Sequence, residues 1–141
     1  MEKEREQAFK KNYPDPIQKD KQATDNDFTK AVEFCIENIE TVSLCAGTHN
    51  EKSVLHLTNL MQKKAFKKND SRIWFAQLLG MSDHISFNLS KEGYNVAKYV
   101  PYGPIKEVIP YLIRRAEENT SVSGQTSREL SLIKIEVERR N

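Results

Sequence analysis

"IWFAQLLG", residues 73–80, is a short apolar run with no polar alternation, entered from the charged turn "KKND" (67–70) and closed by Gly80. A run this short and this uniformly apolar reads as a strand covered on both faces, as the strands of parallel sheets are. Its flanks agree. Ahead of it, Val54, Leu57, Leu60 and Met61 recur at helical spacing; behind it, "MSDHISFNLSKEG" (81–93) predicts a helix ended by Gly93. Two further strand candidates, "TVSLCAG" (41–47) and "YNVAKYVPYGP" (94–104), bracket this unit.

Working outward, Phe28, Ala31, Val32, Cys35, Ile36 and Ile39 predict a helix over about 25–40, with Thr24 and Asp25 as candidate caps. Residues 1–11 are charged and helix-compatible, and "NYPDPIQKDKQATDND" (12–27) has the composition of a loop. Pro104 suits the first turn of a helix whose apolar stripe is Ile105, Val108, Ile109, Leu112 and Ala116, with a kink expected at Pro110. After the Ser- and Thr-rich "NTSVSGQTS" (119–127), a charged amphipathic helix is expected over about 127–140.

Strand and helix thus alternate, which predicts parallel pairing. Three strands cannot close a (β/α)8 barrel, which takes eight. Two architectures remain at this point: a small three-layer α/β domain, or the C-terminal part of a barrel, incomplete in this chain.

Composition narrows the function classes. The 141 residues hold 22 basic and 20 acidic side chains, a net charge of +2, which argues against a dedicated nucleic-acid or membrane-surface binder. Hydrophobic residues make up 38% of the chain, with no apolar run of the roughly 20 residues that span a bilayer. "MEKEREQ" has no signal-peptide apolar region. Cys35 and Cys45 stand in separate apolar segments and read as buried, reduced thiols. His56 and His84 have no company that would make them catalytic or metal ligands.

The one unusual feature is "YLIRRAEEN" (111–119). At about 100° per residue, Tyr111, Arg115 and Glu118 share a stripe with Arg114 beside it, at the border of the apolar face. On pattern alone the pair reads as a solvated charge run with Arg–Glu partners one turn away. Two adjacent guanidiniums also suit a carboxylate or phosphate.

Three segments, "CAGTHNEKS" (45–53), "FAQLLGM" (75–81) and "KYVPYGPIKEVIPYLIRRAEEN" (98–119), together resemble the C-terminal half of the proline dehydrogenase catalytic domain, an FAD-dependent (β/α)8 barrel. The likeness extends over nearly the whole chain. It implies one unit over 1–141: a charged helix and loop (1–27), βα units (28–125) and a C-terminal helix (126–141).

The resemblance also implies roles. Arg114 and Arg115 match the pair that grips the carboxylate of L-proline, Tyr111 and Tyr99 match aromatic walls of the proline pocket, and Leu78 an apolar ring contact. Where Tyr99 stands, hydroxyproline enzymes resemble one another in carrying serine, so a phenol here favours proline. Thr48 and His49 match an FAD-binding pair, with Asn50 beside them; Gln77 and Glu118 match further FAD contacts. The activity implied is oxidation of L-proline to 1-pyrroline-5-carboxylate, with electrons passed to a quinone.

Family members carry earlier strands ahead of the segment resembling "MEKER", among them one ending in Gly-Ala-Tyr. The expectation is therefore a chain that lacks roughly the first five barrel strands, is inactive alone, and has the missing N-terminal half as a partner. The compartment implied is the cytoplasm, peripheral on the inner membrane, or the mitochondrion if eukaryotic. Two other readings stand beside it: a non-catalytic half-barrel that binds a partner, and another FAD barrel such as a methylenetetrahydrofolate reductase.

Overall fold

In the computed structural model, residues 2–121 and 125–140 are described, although the side chains of Glu2, 116–121, 125–130, 132 and 133 are not. Three strands form one parallel sheet in sequence order: β1 (Leu44–Gly47), β2 (Ile73–Leu78) and β3 (Val96–Tyr99). The helices are α1 (Glu2–Lys11), α2 (Lys21–Glu37), α3 (Glu51–Lys63), α4 (Asp83–Lys91), α5 (Ile105–Ser121) and α6 (Gln125–Arg140).

Local chemistry sets the helix starts. The side chain of Asp20 accepts from the Ala23 amide at 2.7 Å and caps α2, so that helix begins a turn before the expected Thr24–Asp25. Asn50 caps α3 by accepting from the Lys52 amide at 3.0 Å. The Pro104 carbonyl accepts from the amides of Glu107 and Val108, opening α5, which then runs on through Pro110.

Register decides which strand residues share a face. Leu44 pairs with Ile73, Ala46 with Phe75 and Phe75 with Val96, and these point toward α2, α3 and α4. There they meet Val32, Ile36, Val54, Leu57, Met61, Ile85 and Leu89 in one core. The alternate set, Cys45, Gly47, Trp74, Ala76, Leu78, Ala97 and Tyr99, faces the other way. Trp74 is 40% exposed and Tyr99 55%.

The core therefore lies on one side of the sheet only, which excludes the three-layer architecture and matches a curved segment of a barrel wall. It also corrects the reading of the cysteines. Cys45 is exposed, because it falls in the open-face set, and Cys35 is half-buried. Of the apolar stripe of α5, Ile105, Ile109 and Leu112 are exposed, and the helix meets the sheet through Tyr111, whose ring lies against that of Tyr99.

The rim at the N-terminal ends of the strands is tied by charge. Arg72 forks onto Asp70, with Nε to Oδ1 at 2.9 Å and Nη2 to Oδ2 at 2.8 Å, and reaches Glu40 Oε1 at 2.7 Å. Asn95 donates to the carbonyls of Asp70 and Ile73, joining the start of β3 to that of β2. The hydrogen bonds from Arg72 hold the Asp70 carboxyl down at about 2. A carboxyl lowered on folding stabilises the fold fully above its unfolded value, near 4, and loses that contribution as pH falls toward 2. Asp70→Asn is expected to cost about 2 kcal/mol at neutral pH. Thermal melts of both proteins should converge between pH 4 and 2; a constant difference across that range would refute the assignment.

Candidate active site at the C-terminal ends of the strands

The residues singled out in the sequence converge on one edge of the sheet. Thr48 follows β1 directly and its amide donates to the Ala76 carbonyl at 3.2 Å, extending the ladder by one residue. Leu78 ends β2 in register with Tyr99, which ends β3, and the Leu79 amide donates to the Tyr99 carbonyl at 3.0 Å. Leu78 and Tyr99 thus share the open face at its C-terminal rim. In parallel α/β folds this is the edge where loops build binding sites.

Helix α5 approaches this rim through Tyr111. Its ring lies edge-on to Tyr99, with centroids 6.2 Å apart and planes at 72°. One turn on, the Arg115 guanidinium lies over the Tyr111 ring at 5.2 Å. Such a cation over an aromatic face gains electrostatic energy and is held in orientation. Arg115 is half-buried and Arg114 is exposed. Glu118 belongs to α5, but its side chain lies outside the described residues.

The loop after β1 supplies polar groups. The Thr48 hydroxyl oxygen accepts from the Asn50 amide at 3.1 Å, and His49 Nδ1 lies 2.9 Å from the Ser82 hydroxyl oxygen in the loop after β2. Asn50 points its side-chain oxygen at the Lys52 amide, so it acts in this structure as a helix cap. Helix α3 begins directly after this loop, with its Lys52 amide taken by Asn50, and helix N-termini favour anions. A hydroxyl, an imidazole and this helix N-terminus form a set that fits the phosphate-bearing part of a cofactor.

Gln77 is placed differently from the others. It is 2% exposed on the helix-covered face, where Nε2 donates to the Thr48 carbonyl at 3.3 Å and Oε1 accepts from the Ser86 hydroxyl at 2.9 Å. Its amide braces the loop that carries Thr48 and His49. The run "FAQLL" does not reveal this, because residues on both faces of β2 are largely apolar.

Two histidines gain structural roles that the sequence did not announce. His84 Nε2 lies 2.9 Å from Glu51 Oε1, linking the starts of α4 and α3. His56 Nε2 lies 2.9 Å from Glu33 Oε1, linking α3 to α2. Sequence reasoning also passed over Lys98 and Ser82. A lysine inside a parallel strand was the available signal for the first; Ser82, in the left-handed region at φ 51°, carried none.

The family model for proline dehydrogenase matches residues 1–128. The chain belongs to the proline dehydrogenase family. It is 40% identical to the hydroxyproline dehydrogenase of Xenopus laevis over 99% of its own length and 31% of that protein. It is also 39% identical to human mitochondrial proline dehydrogenase 1 over 99% of its length and 24% of that protein. Among solved structures, the proline utilization A protein (PutA) from Bdellovibrio bacteriovorus superposes with a TM-score of 0.76 at 25% identity, covering 84% of this chain and 12% of PutA. The chain therefore spans a quarter to a third of the length of these curated relatives. The architecture is that of part of a (β/α)8 barrel, as the one-sided core indicates.

Proposed function

We propose that this chain forms the proline-facing and cofactor-facing side of an FAD-dependent proline dehydrogenase site, acting in oxidation of L-proline to 1-pyrroline-5-carboxylate. The observation that carries the reading is the Tyr99–Tyr111–Arg115 stack at the C-terminal rim of the parallel sheet. It sets a guanidinium beside two aromatic walls, an arrangement suited to a small, largely apolar ring bearing a carboxylate.

Arg115, with Arg114 beside it, would hold the carboxylate. Tyr99, Tyr111 and Leu78 would fix the ring, and with it C5, removing orientational freedom before reaction. Thr48, His49 and the N-terminus of α3 would hold the phosphate-bearing part of FAD. When bound, the flavin supplies a hydride acceptor for C5, and quinone is the electron acceptor in this reading. No general base is required of these side chains if proline binds with a neutral amine.

The names of the relatives leave two substrates to weigh, proline and hydroxyproline. Tyr99 favours proline, because its phenol fills space that a ring hydroxyl would need. Tyr99→Ser is expected to raise the preference for 4-hydroxyproline over proline by about tenfold, a change of about 1.4 kcal/mol in relative transition-state binding. Comparing kcat/KM for the two substrates checks this, and an unchanged ratio would remove Tyr99 as the discriminator.

The names of two animal relatives, both mitochondrial proline dehydrogenases, support a mitochondrial compartment for this chain; placement at the periphery of the inner membrane is part of the proposal. No helix among the described residues is long and apolar enough to cross a membrane. The reading is tested by recording a flavin spectrum and proline-dependent dye reduction, first with the chain itself and then with the chain joined to the first half of a relative's barrel. Absence of both flavin binding and turnover in the joined protein would refute it.

A further inference from the structure

Lys98 is central in β3, yet its ammonium is fully engaged on the helix-covered side of the sheet. Nζ donates to the Met81 carbonyl at 2.7 Å, to Asp83 Oδ1 at 2.7 Å and to the Leu78 carbonyl at 3.5 Å. An ammonium has three hydrogens, and three acceptors surround this one. The side chain is 22% exposed.

The acceptors belong to the end of β2, to the turn that leads into α4 and to Asp83, the first residue of α4. That turn needs holding. Gly80 and Ser82 both adopt positive φ, 77° and 51°, and for Ser82 this conformation is a strained one. His49 meets the Ser82 hydroxyl from the neighbouring loop, and the Leu79 amide is bonded to Tyr99. Leu78, the ring contact, lies at the entry to this turn, and Tyr99 is the residue after Lys98.

We propose that Lys98 is a positioning residue that clamps the β2–α4 turn and so fixes the spacing of Leu78 and Tyr99, the two walls on the open face. It touches neither substrate nor cofactor. Its contribution is to ring recognition rather than to the carboxylate grip, which arises on α5. The ligand part rests on the proline-site reading above, whereas the clamp itself is a property of the folded chain.

The test has two arms, the first on the chain itself. In the first, amide hydrogen exchange is compared between the parent, Lys98→Met and Lys98→Arg. The Leu79 and Met81 amides should exchange about tenfold faster in Lys98→Met, with the Thr48 amide on the far strand pair unchanged, and Lys98→Arg should restore most of the protection. Unchanged exchange at Leu79 and Met81 overturns the clamp, and so does an equal rise at Thr48, which would report general destabilisation. Asp83→Asn, which weakens a single acceptor, should show the same pattern at smaller size.

In the second arm, the chain joined to the first half of a relative's barrel and loaded with FAD is titrated with tetrahydrofuroate, a ring analogue of proline, and with acetate, which has the carboxylate alone. Lys98→Met should weaken tetrahydrofuroate about tenfold and leave acetate unchanged, and Lys98→Arg should recover the ring analogue to within about threefold. An equal loss for both ligands, or no loss, overturns the positioning role. If the parent binds neither ligand, the proposed function fails, and hydrogen exchange alone decides the clamp.

Discussion

Replacing Arg115 with alanine is expected to weaken binding of L-proline or tetrahydrofuroate by about 100-fold or more. A charge-assisted hydrogen bond contributes about 1.5–3 kcal/mol, and a guanidinium fork offers two of them. Even with solvent exposure reducing that sum, about 2.7 kcal/mol is two orders of magnitude in affinity. Arg115 rather than Arg114 should show the larger loss, because it is the half-buried member and its guanidinium lies over the Tyr111 ring at 5.2 Å. Arg115→Lys keeps the charge but gives up the planar fork, so about tenfold of the loss should remain. Titration of the chain joined to the first half of a relative's barrel measures all three. A parent that binds the analogue while Arg115→Ala binds it equally well would return the pair to the status of a solvated charge run.

The largest effect on stability is expected at Phe75. Its side chain is fully buried in the central strand and its ring meets that of Tyr94 edge-on, with centroids 5.6 Å apart. Phe75→Ala removes that contact and leaves a cavity among Leu57, Met61 and Ile73, which are also buried. Such truncations cost about 3–5 kcal/mol. Small domains are stable by only about 5–15 kcal/mol, so the variant should be close to unfolding at 37 °C. The adjacent residue supplies the control: Trp74 is as apolar but faces the open side, and Trp74→Ala should cost far less. Urea denaturation decides. Equal losses at the two positions would mean that the core is not confined to one face.

That contrast also marks how far the sequence could be read. The strands, the helices between them and the parallel pairing were legible, because "IWFAQLL" cannot alternate and the intervening segments keep helical spacing. The sidedness of β2 was not. Trp74, Phe75 and Ala76 are all apolar, so hydrophobicity does not say which of them faces the helices, nor that the Gln77 amide braces a loop. The same ambiguity misplaced Cys45. For α5, the spacing of Ile105, Ile109 and Leu112 correctly announced a helix, but spacing does not specify what covers the stripe, and the described residues leave it exposed. Of the candidate site, Tyr99, Tyr111, Leu78 and Arg115 were legible through resemblance and fall together in space. Lys98 escaped notice because a lysine is ordinarily a surface residue, and only register shows that it points under the neighbouring turn.

The register has a kinetic consequence. Leu44 finds Ile73, and Phe75 finds Val96, each across one intervening helix. No pairing among the described strands requires the two ends of the chain to meet. The loop-closure entropy that slows a closed sheet is thus incurred in modest steps, each compensated locally by a helix docking on the growing core. Folding of this segment can proceed by addition, one strand and helix at a time, much as a tandem array elongates.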